Sequence, residues 1–330
     1  MGGDYAPRSA VEGSYQAATE DGVRVLLVGH RDRIAEELER LGDHGGKLEI
    51  VHAEDTVAME EPAAAVARKK NASVRVCARL VKDGRARAMV TAGHTGAAMI
   101  AAKTVIGTIP GVDRPALAAV FPSRSGRTVV LDVGANLNAK AAQLRQFAVM
   151  GHFYAQEIVH TPTPRVGLLS VGEEEGKGTE LTRQVFKVLQ QTGLNFVGNV
   201  EGSDVFSGKV DVIVCDGFVG NVVLKTSESL AGYLQSVLQN ELGESVRARF
   251  GYLLARPAVR GITQRMDWSE YGAAPLLGVR GGCFIGHGRS NTKAIRNAIR
   301  RAEEFVEADL DKKIGAKVEE LHQQEETLLA

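Results

Sequence analysis

The sequence predicts an α/β protein, a mostly parallel sheet with helices over both faces. Three observations carry this. Short apolar runs alternate with longer amphipathic stretches along most of the 330 residues, as strand–helix units wound into a parallel sheet do. The chain holds 37 glycines, above the usual share of about 7% and without a fixed period, so the excess belongs in turns. The hydrophobic fraction of 44% and charged fraction of 24% are those of a globular chain with a core to bury.

The elements follow in order. Val23–Val28 reads as a strand, Asp32–Leu41 as an amphipathic helix and Leu48–Val51 as a second strand. A helix opens after Pro62, a residue suited to a first helical turn, and stops near Gly84. Ala88–Thr91 is a strand, His94–Gly107 is helical, and Leu117–Phe121 with Thr128–Leu131 form a strand pair. The second half repeats the rhythm, with helix Ala139–Val159, strand Val166–Val171 and helix Thr179–Gln191. Strands Phe196–Val200 and Val212–Cys215 precede a long helix from Val219 to about Leu242. Leu276–Ile285 is apolar and Gly-rich, and from Asn291 the chain is helical and heavily charged, fraying near Thr327. No internal repeat and no Gly/Ser linker interrupts it, so 1–330 is expected as one compact unit or two closely joined lobes.

Charge and composition exclude several classes. Lys plus Arg number 40, as do Asp plus Glu, and this balance argues against a nucleic-acid partner. Apolar runs such as Val25–Val28 fall far short of the about 20 residues a membrane helix needs. The opening Met1–Tyr5 has no basic flank or apolar stretch, so a cytoplasmic setting is expected. Cys77, Cys215 and Cys283 are too scattered for a disulfide framework or a zinc knuckle. There is no Gly-x-Gly-x-x-Gly after a strand, no P-loop spacing, no Gly-x-Ser-x-Gly and no His-Glu-x-x-His, so neither a cofactor nor a metal is expected.

The glycines gather where predicted strands end: Gly93 and Gly96 after Thr91, Gly134 after Leu131, Gly172, Gly176 and Gly178 after Val171, Gly202 after Val200, Gly217 and Gly220 after Cys215, and Gly286 and Gly288 after Ile285. In an open α/β sheet ligands bind outside the carboxyl ends of strands, and the helix starts that follow carry unpaired N–H groups that favour anions. One rim holding phosphate is the expectation. The turns also carry polar side chains. Lys177 could neutralise phosphate, the Asn136 and Asn221 amides could donate to oxygens, His94 could protonate a departing thiolate, and Asp132 and Asp216 could orient a His or Lys. Lys225 lies four residues beyond Asn221, on the same helix face. Gly93, Thr95, Gly96, Gly178, Thr179, Glu201 and Asn291 complete the candidate binding set. This set suits acyl transfer to phosphate, which is its own nucleophile. Each residue has a plainer reading: His94 and the aspartates as helix caps, Lys177 as partner to Glu173–Glu175, and Cys215 as a small core residue.

Residues 246–265 carry Arg247, Arg249, Arg256, Arg260 and Arg265 and no acidic residue, interleaved with Phe250, Leu253, Leu254, Val259 and Ile262. This predicts a protruding basic amphipathic helical tip, suited to an anionic membrane surface or an acidic protein, or equally to dimer packing with solvated arginines.

The segments MGGDYAP, TAGHTGA, DVGAN, SVGEEEGKGTE, NVEG, DVIVCDGFVGNVVLKTSE, YGAAPLLGV and GHGRSN occur in order over nearly the whole chain. The set closely resembles the bacterial phosphate acyltransferase family, which converts acyl-acyl-carrier-protein and inorganic phosphate into acyl phosphate for phospholipid synthesis. The resemblance implies an isocitrate/isopropylmalate dehydrogenase-like α/β/α fold and a homodimer at the cytoplasmic membrane surface. It also implies acyl carrier protein as donor and a membrane glycerol-3-phosphate acyltransferase downstream. Two departures stand out. The family carries a short strand ahead of MGGD, where this sequence begins, so either the start is misplaced or the loop Gly2-Gly3-Asp4 lacks its anchor, and Ala273 stands where the family has glycine.

Overall fold

In the computed structural model, which describes residues 1–243, 256, 257, 261 and 272–329, the predicted alternation folds into two sheets. β1 (Val25–Gly29) and β2 (Leu48–His52) pair in parallel, with Val25 opposite Leu48 and Gly29 opposite His52. The second sheet comprises β3 (Ala88–Thr91), β4 (Ala116–Ser123), β5 (Gly126–Leu131), β6 (Val166–Leu169), β7 (Phe196–Val200), β8 (Val212–Val214), β9 (Ala274–Leu277) and β10 (Gly282–Ile285), in the order β3-β10-β9-β4-β5-β8-β6-β7. Five helices belong to the first half: α1 (Arg8–Gln16), α2 (Arg31–Glu39), α3 (Ala65–Arg68), α4 (Ser73–Lys82) and α5 (Thr95–Ala101). Five follow: α6 (Ala141–Glu157), α7 (Glu180–Leu189), α8 (Gly217–Gly243), α9 (Thr292–Glu307) and α10 (Leu310–Leu329).

The long helix expected after Pro62 is instead α3 and α4, broken where Lys69 leaves the helical region and Ala72 is extended. α1 has no counterpart in the sequence reading. The glycines and serines in and around it mask its periodicity, and its stability comes from burying Val11 and from contact with α9.

Pairing within the larger sheet is parallel for β3–β10, β5–β8, β8–β6 and β6–β7, and antiparallel for β10–β9, β9–β4 and β4–β5. β3 and β10 therefore run opposite to β5, β8, β6 and β7. This corrects the expectation of one rim: the glycine turns lie on two rims that face opposite ways. The register still brings the rims level. Ile285 pairs with Ala274, Leu276 with Leu117, and Ala118 with Leu131, so the last residues of β10 and β5 sit within about one residue, ~3.3 Å, of the same height.

Two apolar layers sandwich the sheet. On one side α6, α9 and α10 bury Leu144, Phe147, Met150, Phe305 and Ile314 against Val129, Leu131 and Phe284. On the other α4 and α5 bury Val81, Ala97 and Ala101 against Met89, Val130 and Ile213, with Val223 and Leu224 of α8 added. Of the basic segment 246–265 the described residues include only Arg256, Pro257 and Gly261; Arg247, Arg249, Leu253, Leu254, Val259 and Arg260 lie outside them. Among the described residues no helix is long and apolar enough to cross a membrane.

Candidate active site

α8 joins the two rims. It leaves β8 at Gly217, passes Asp132, and carries Asn221, Leu224, Lys225 and Glu228 into a hollow of about 320 Å³. The opposite wall is the β3–β10 rim, with Thr95, Ile285, Gly286 and His287. Leu117, Val120, Ile158 and Pro275 form apolar walls, and Arg127 and Arg301 add positive charge. Thr95, Asn221 and Lys225 of the predicted set thus meet in one hollow. His287, Arg127, Arg301 and Glu228 join them without having been singled out. The turn Gly286–Gly288 pointed to His287, whereas no local pattern marks the arginines.

The approach of α8 depends on Asp132, whose carboxylate is fully buried. Its Oδ1 accepts from the N–H groups of Leu117 at 3.0 Å, Gly134 at 3.2 Å and Ala135 at 2.9 Å. Its Oδ2 accepts from the Asn136 N–H at 2.6 Å and the Asn136 Nδ2 at 2.9 Å. Burial lifts the carboxyl above the usual carboxylate range against the pull of these donors. The Asn136 amide also donates to the Pro115 carbonyl at 2.8 Å. Asp132 and Asn136, expected at phosphate, instead hold the turn after β5 in shape, and neither has capacity left for an anion. That turn seats Asn221, whose Nδ2 donates to the Val133 carbonyl at 3.2 Å.

Several other candidates are engaged as caps. The Nδ1 of His94 accepts the Ala97 N–H at 3.3 Å, and its Nε2 lies 2.9 Å from the Glu61 carbonyl. Its proton is therefore on Nε2 and given to main chain. Asp216 accepts from Phe218 and Val219 N–H at the start of α8, Thr179 from Thr182 N–H, and Asn291 from Ala294 N–H. The turn bearing Lys177, Gly178 and Thr179 is tied to β7 by Asn199 donating to the Glu174 carbonyl. The Glu201 N–H donates to the Asp204 carboxylate at 3.0 Å. None of these last four lines the hollow. Gly93 belongs to the turn under Met1–Gly3, and Gly96 to the first turn of α5. Cys215 is buried and its thiol is pushed well above the usual range by desolvation, which leaves it a core residue. Lys225 is paired with Glu228 at 2.9 Å. Among the described residues no cluster of His, Cys, Asp and Glu could hold a metal ion.

A family model described as "fatty acid synthesis protein" matches residues 1–313. The chain belongs to this family. Its relatives include the phosphate acyltransferases of Pelotomaculum thermopropionicum, 51% identical over 97% of this chain and 94% of that protein, and of Aquifex aeolicus, 47% identical over 95% and 94%. Among solved structures, a phosphotransacetylase from Streptococcus pyogenes superposes with a TM-score of 0.63 at 16% identity, covering 91% of this chain and 92% of that one. The EutD phosphotransacetylase from Staphylococcus aureus gives 0.59, also at 16%, covering 90% and 92%. At that identity these two show a shared fold, and the fatty acid synthesis family membership rests on the sequence matches.

Proposed function

We propose that this member of the family transfers an acyl group from acyl-acyl-carrier-protein to inorganic phosphate, releasing acyl phosphate and the free carrier thiol for phospholipid synthesis. The observation that carries the reading is the hollow itself, where Thr95, Asn221, Lys225 and His287 converge from two strand rims beside an apolar wall. Phosphate needs cationic and N–H or O–H donors, and the acyl chain needs the apolar side.

A phosphate oxygen attacks the thioester carbon, the carbonyl becomes a tetrahedral oxyanion, and the C–S bond breaks as the carbonyl re-forms. Lys225, released from Glu228, offsets phosphate charge, and the Thr95 hydroxyl and Asn221 amide offer donors to the developing oxyanion. His287 accepts the Arg289 N–H at Nδ1, 3.1 Å away, so its ring proton is on Nε2; we assign Nε2 to hand that proton to the departing thiolate while taking up the one the attacking hydrogen phosphate loses, so the ring ends neutral as it began. No cofactor enters these steps. His94, Asp216 and Lys177 are assigned no direct step.

The acidic carrier protein and the anionic membrane surface are assigned to the basic segment 246–265. α8, which leads toward it, exposes Leu230, Tyr233 and Leu234, and this supports a peripheral or homodimeric face there. We assign the mixed eight-stranded sheet, covered by helices on both faces, to the isocitrate/isopropylmalate dehydrogenase-like architecture that the sequence resemblance implies. A membrane glycerol-3-phosphate acyltransferase would take the product. Hydroxylamine added to protein, phosphate and acyl-acyl-carrier-protein should trap an acyl hydroxamate only when all three are present. Absence of the hydroxamate with folded protein rejects the reaction, and equal turnover with acyl-coenzyme A rejects the carrier as the preferred donor.

A further inference from the structure

The hollow of about 320 Å³ crosses the larger sheet. Leu117, Leu224 and Ile285 on its lining belong to the apolar layer under α5 and α8, while Tyr154 and Ile158 on the same lining belong to the layer under α6 and α9. An unbroken sheet keeps two such layers apart. The break lies between β4 and β9. Leu277 and Leu276 pair with β4, opposite Ala116 and Leu117, whereas Pro275 and Ala274 pair with β10, opposite Phe284 and Ile285. Opposite Ala118 the ladder calls for a donor on residue 275, and proline has none. The two strands part there. Leu117 gives its N–H to Asp132 and its C=O to the Val133 N–H, both on the β5 side. By alternation Ala118 and Val120 turn their main-chain groups into the split.

The hollow therefore has two ends. Thr95, Asn221, Lys225 and His287, assigned above to phosphate and the leaving thiolate, hold the α8 end. Arg127, Tyr154, Val159 and Arg301 hold the α6–α9 end. Arg127 is exposed near the start of β5, and Arg301 pairs with Glu304 on α9. Burial pushes the Tyr154 phenol up to about 12, against the pull of Arg301 and Arg127. The phenol thus keeps its O–H, and both guanidiniums lie near it. Among the described residues Glu304 is the one carboxylate that acts on the same phenol, so two cations face one anion at this end.

We infer, given the acyl transfer proposed above, that the split admits the 4′-phosphopantetheine arm of the thioester donor. Arg127, Arg301 and the Tyr154 hydroxyl hold its phosphate at the α6–α9 end, and the thioester reaches Asn221 and His287 at the α8 end. The arm's two secondary amides match the main-chain groups of Ala118 and Val120, as an added strand would. A bare acyl chain in the split would leave those groups without partners. The reach fits as well. Arg127 lies four residues before Leu131 on β5, ~13 Å along the strand, and the arm has the chain atoms of about four residues, ~14 Å when extended. The acyl chain is left to the α8 side, along Leu117 and Leu224.

Calorimetric titration of the full chain with 4′-phosphopantetheine and with pantetheine tests this without turnover. The phosphorylated arm should bind roughly tenfold tighter. Arg127→Ala and Arg301→Ala should each remove most of that difference, whereas Lys225→Ala should keep it. Ala273→Leu, which narrows the split, should weaken both ligands alike and leave binding of inorganic phosphate unchanged. Equal affinity of the parent chain for the two ligands overturns the phosphate site. Loss of the difference with Lys225→Ala and not with Arg127→Ala overturns it too, since the arm's phosphate would then occupy the inorganic phosphate subsite. Undiminished binding of both ligands by Ala273→Leu overturns the passage. Carrier protein and coenzyme A share this arm, so Arg127→Ala should raise KM roughly tenfold for whichever thioester the parent turns over. Where both are turned over, a rise with the carrier thioester alone puts Arg127 on the carrier's surface and overturns the arm site. A parent chain that discriminates the two ligands yet yields no hydroxamate keeps the arm site and rejects the transfer, so the two failures are told apart.

Discussion

Asp132 draws four main-chain N–H groups and one amide onto a carboxylate with no exposure. Asp132→Asn keeps the volume but turns an NH₂ toward those donors, so it should cost about 3 kcal/mol in urea denaturation. Turnover should fall on the order of tenfold or more as Asn221 loses its seat; near-native stability would contradict the positioning role. A second carboxylate is legible by its pH dependence. Arg296 beside Asp21 holds that carboxyl below the usual range, through contacts of 2.7 and 2.8 Å. Because the folded value is lowered, the pairing stabilises fully above about pH 4 and fades as pH falls through the folded value. Asp21→Asn should therefore cost about 1–2 kcal/mol at pH 7, a half-sheltered pair being partly screened, and the gap to the parent should close in acid. A gap that widens in acid would refute it. At this scale residue type was legible in the sequence and its use was not. His94, Asp216 and Asn291 stand where ligand donors were expected, yet each also fits a cap, and only the Ala97, Phe218 and Ala294 N–H contacts decide.

Among the elements, α8 carries the argument, and two of its glycines separate helix propensity from close approach. A methyl on Gly220 would run into the Asp132 carbonyl oxygen, whereas one on Gly232 meets nothing within 4 Å. Alanine gains about 1 kcal/mol over glycine inside a helix, but overpacking against main chain costs about 1–3 kcal/mol and displaces the helix. Gly232→Ala should thus raise Tm slightly with turnover unchanged, and Gly220→Ala should lower both. Opposite signs in thermal melts are the check, and equal signs would mean α8 does not rest on the β5 turn. Most elements were legible because nearly every strand is a short apolar run closed by a glycine turn, β2 being the exception; β3 falls on Ala88–Thr91 as read. α1 was not, since its partner α9 lies nearly three hundred residues away and Val11 is the one hydrophobic residue among its buried positions, the others being Ser9, Gly13 and Ser14.

For the whole molecule, the missing knowledge was pairing. Nothing local in Ala274–Leu277 says that it runs antiparallel to β4 and so reverses β10 and β3 relative to β5. That reversal turns one expected rim into two, and makes the hollow a junction between halves rather than the lip of one sheet. A ligand held at such a junction stabilises the fold as a unit, because it binds only when α8 and the β3–β10 rim are both in place. Inorganic phosphate at about one hundred times its Kd should add ~2.7 kcal/mol, a rise in Tm of several degrees for a chain of this size, when compared with chloride at equal ionic strength. Lys225→Ala and Asn221→Ala should each remove most of that rise while leaving the phosphate-free Tm close to the parent, since Lys225 is half exposed and Asn221 makes a single long hydrogen bond. Lys177→Ala, on the turn outside the hollow, should leave the rise intact. If Lys177→Ala abolished the rise and Lys225→Ala did not, phosphate would sit on the β6 turn, and the junction would have to be given up as the reacting site.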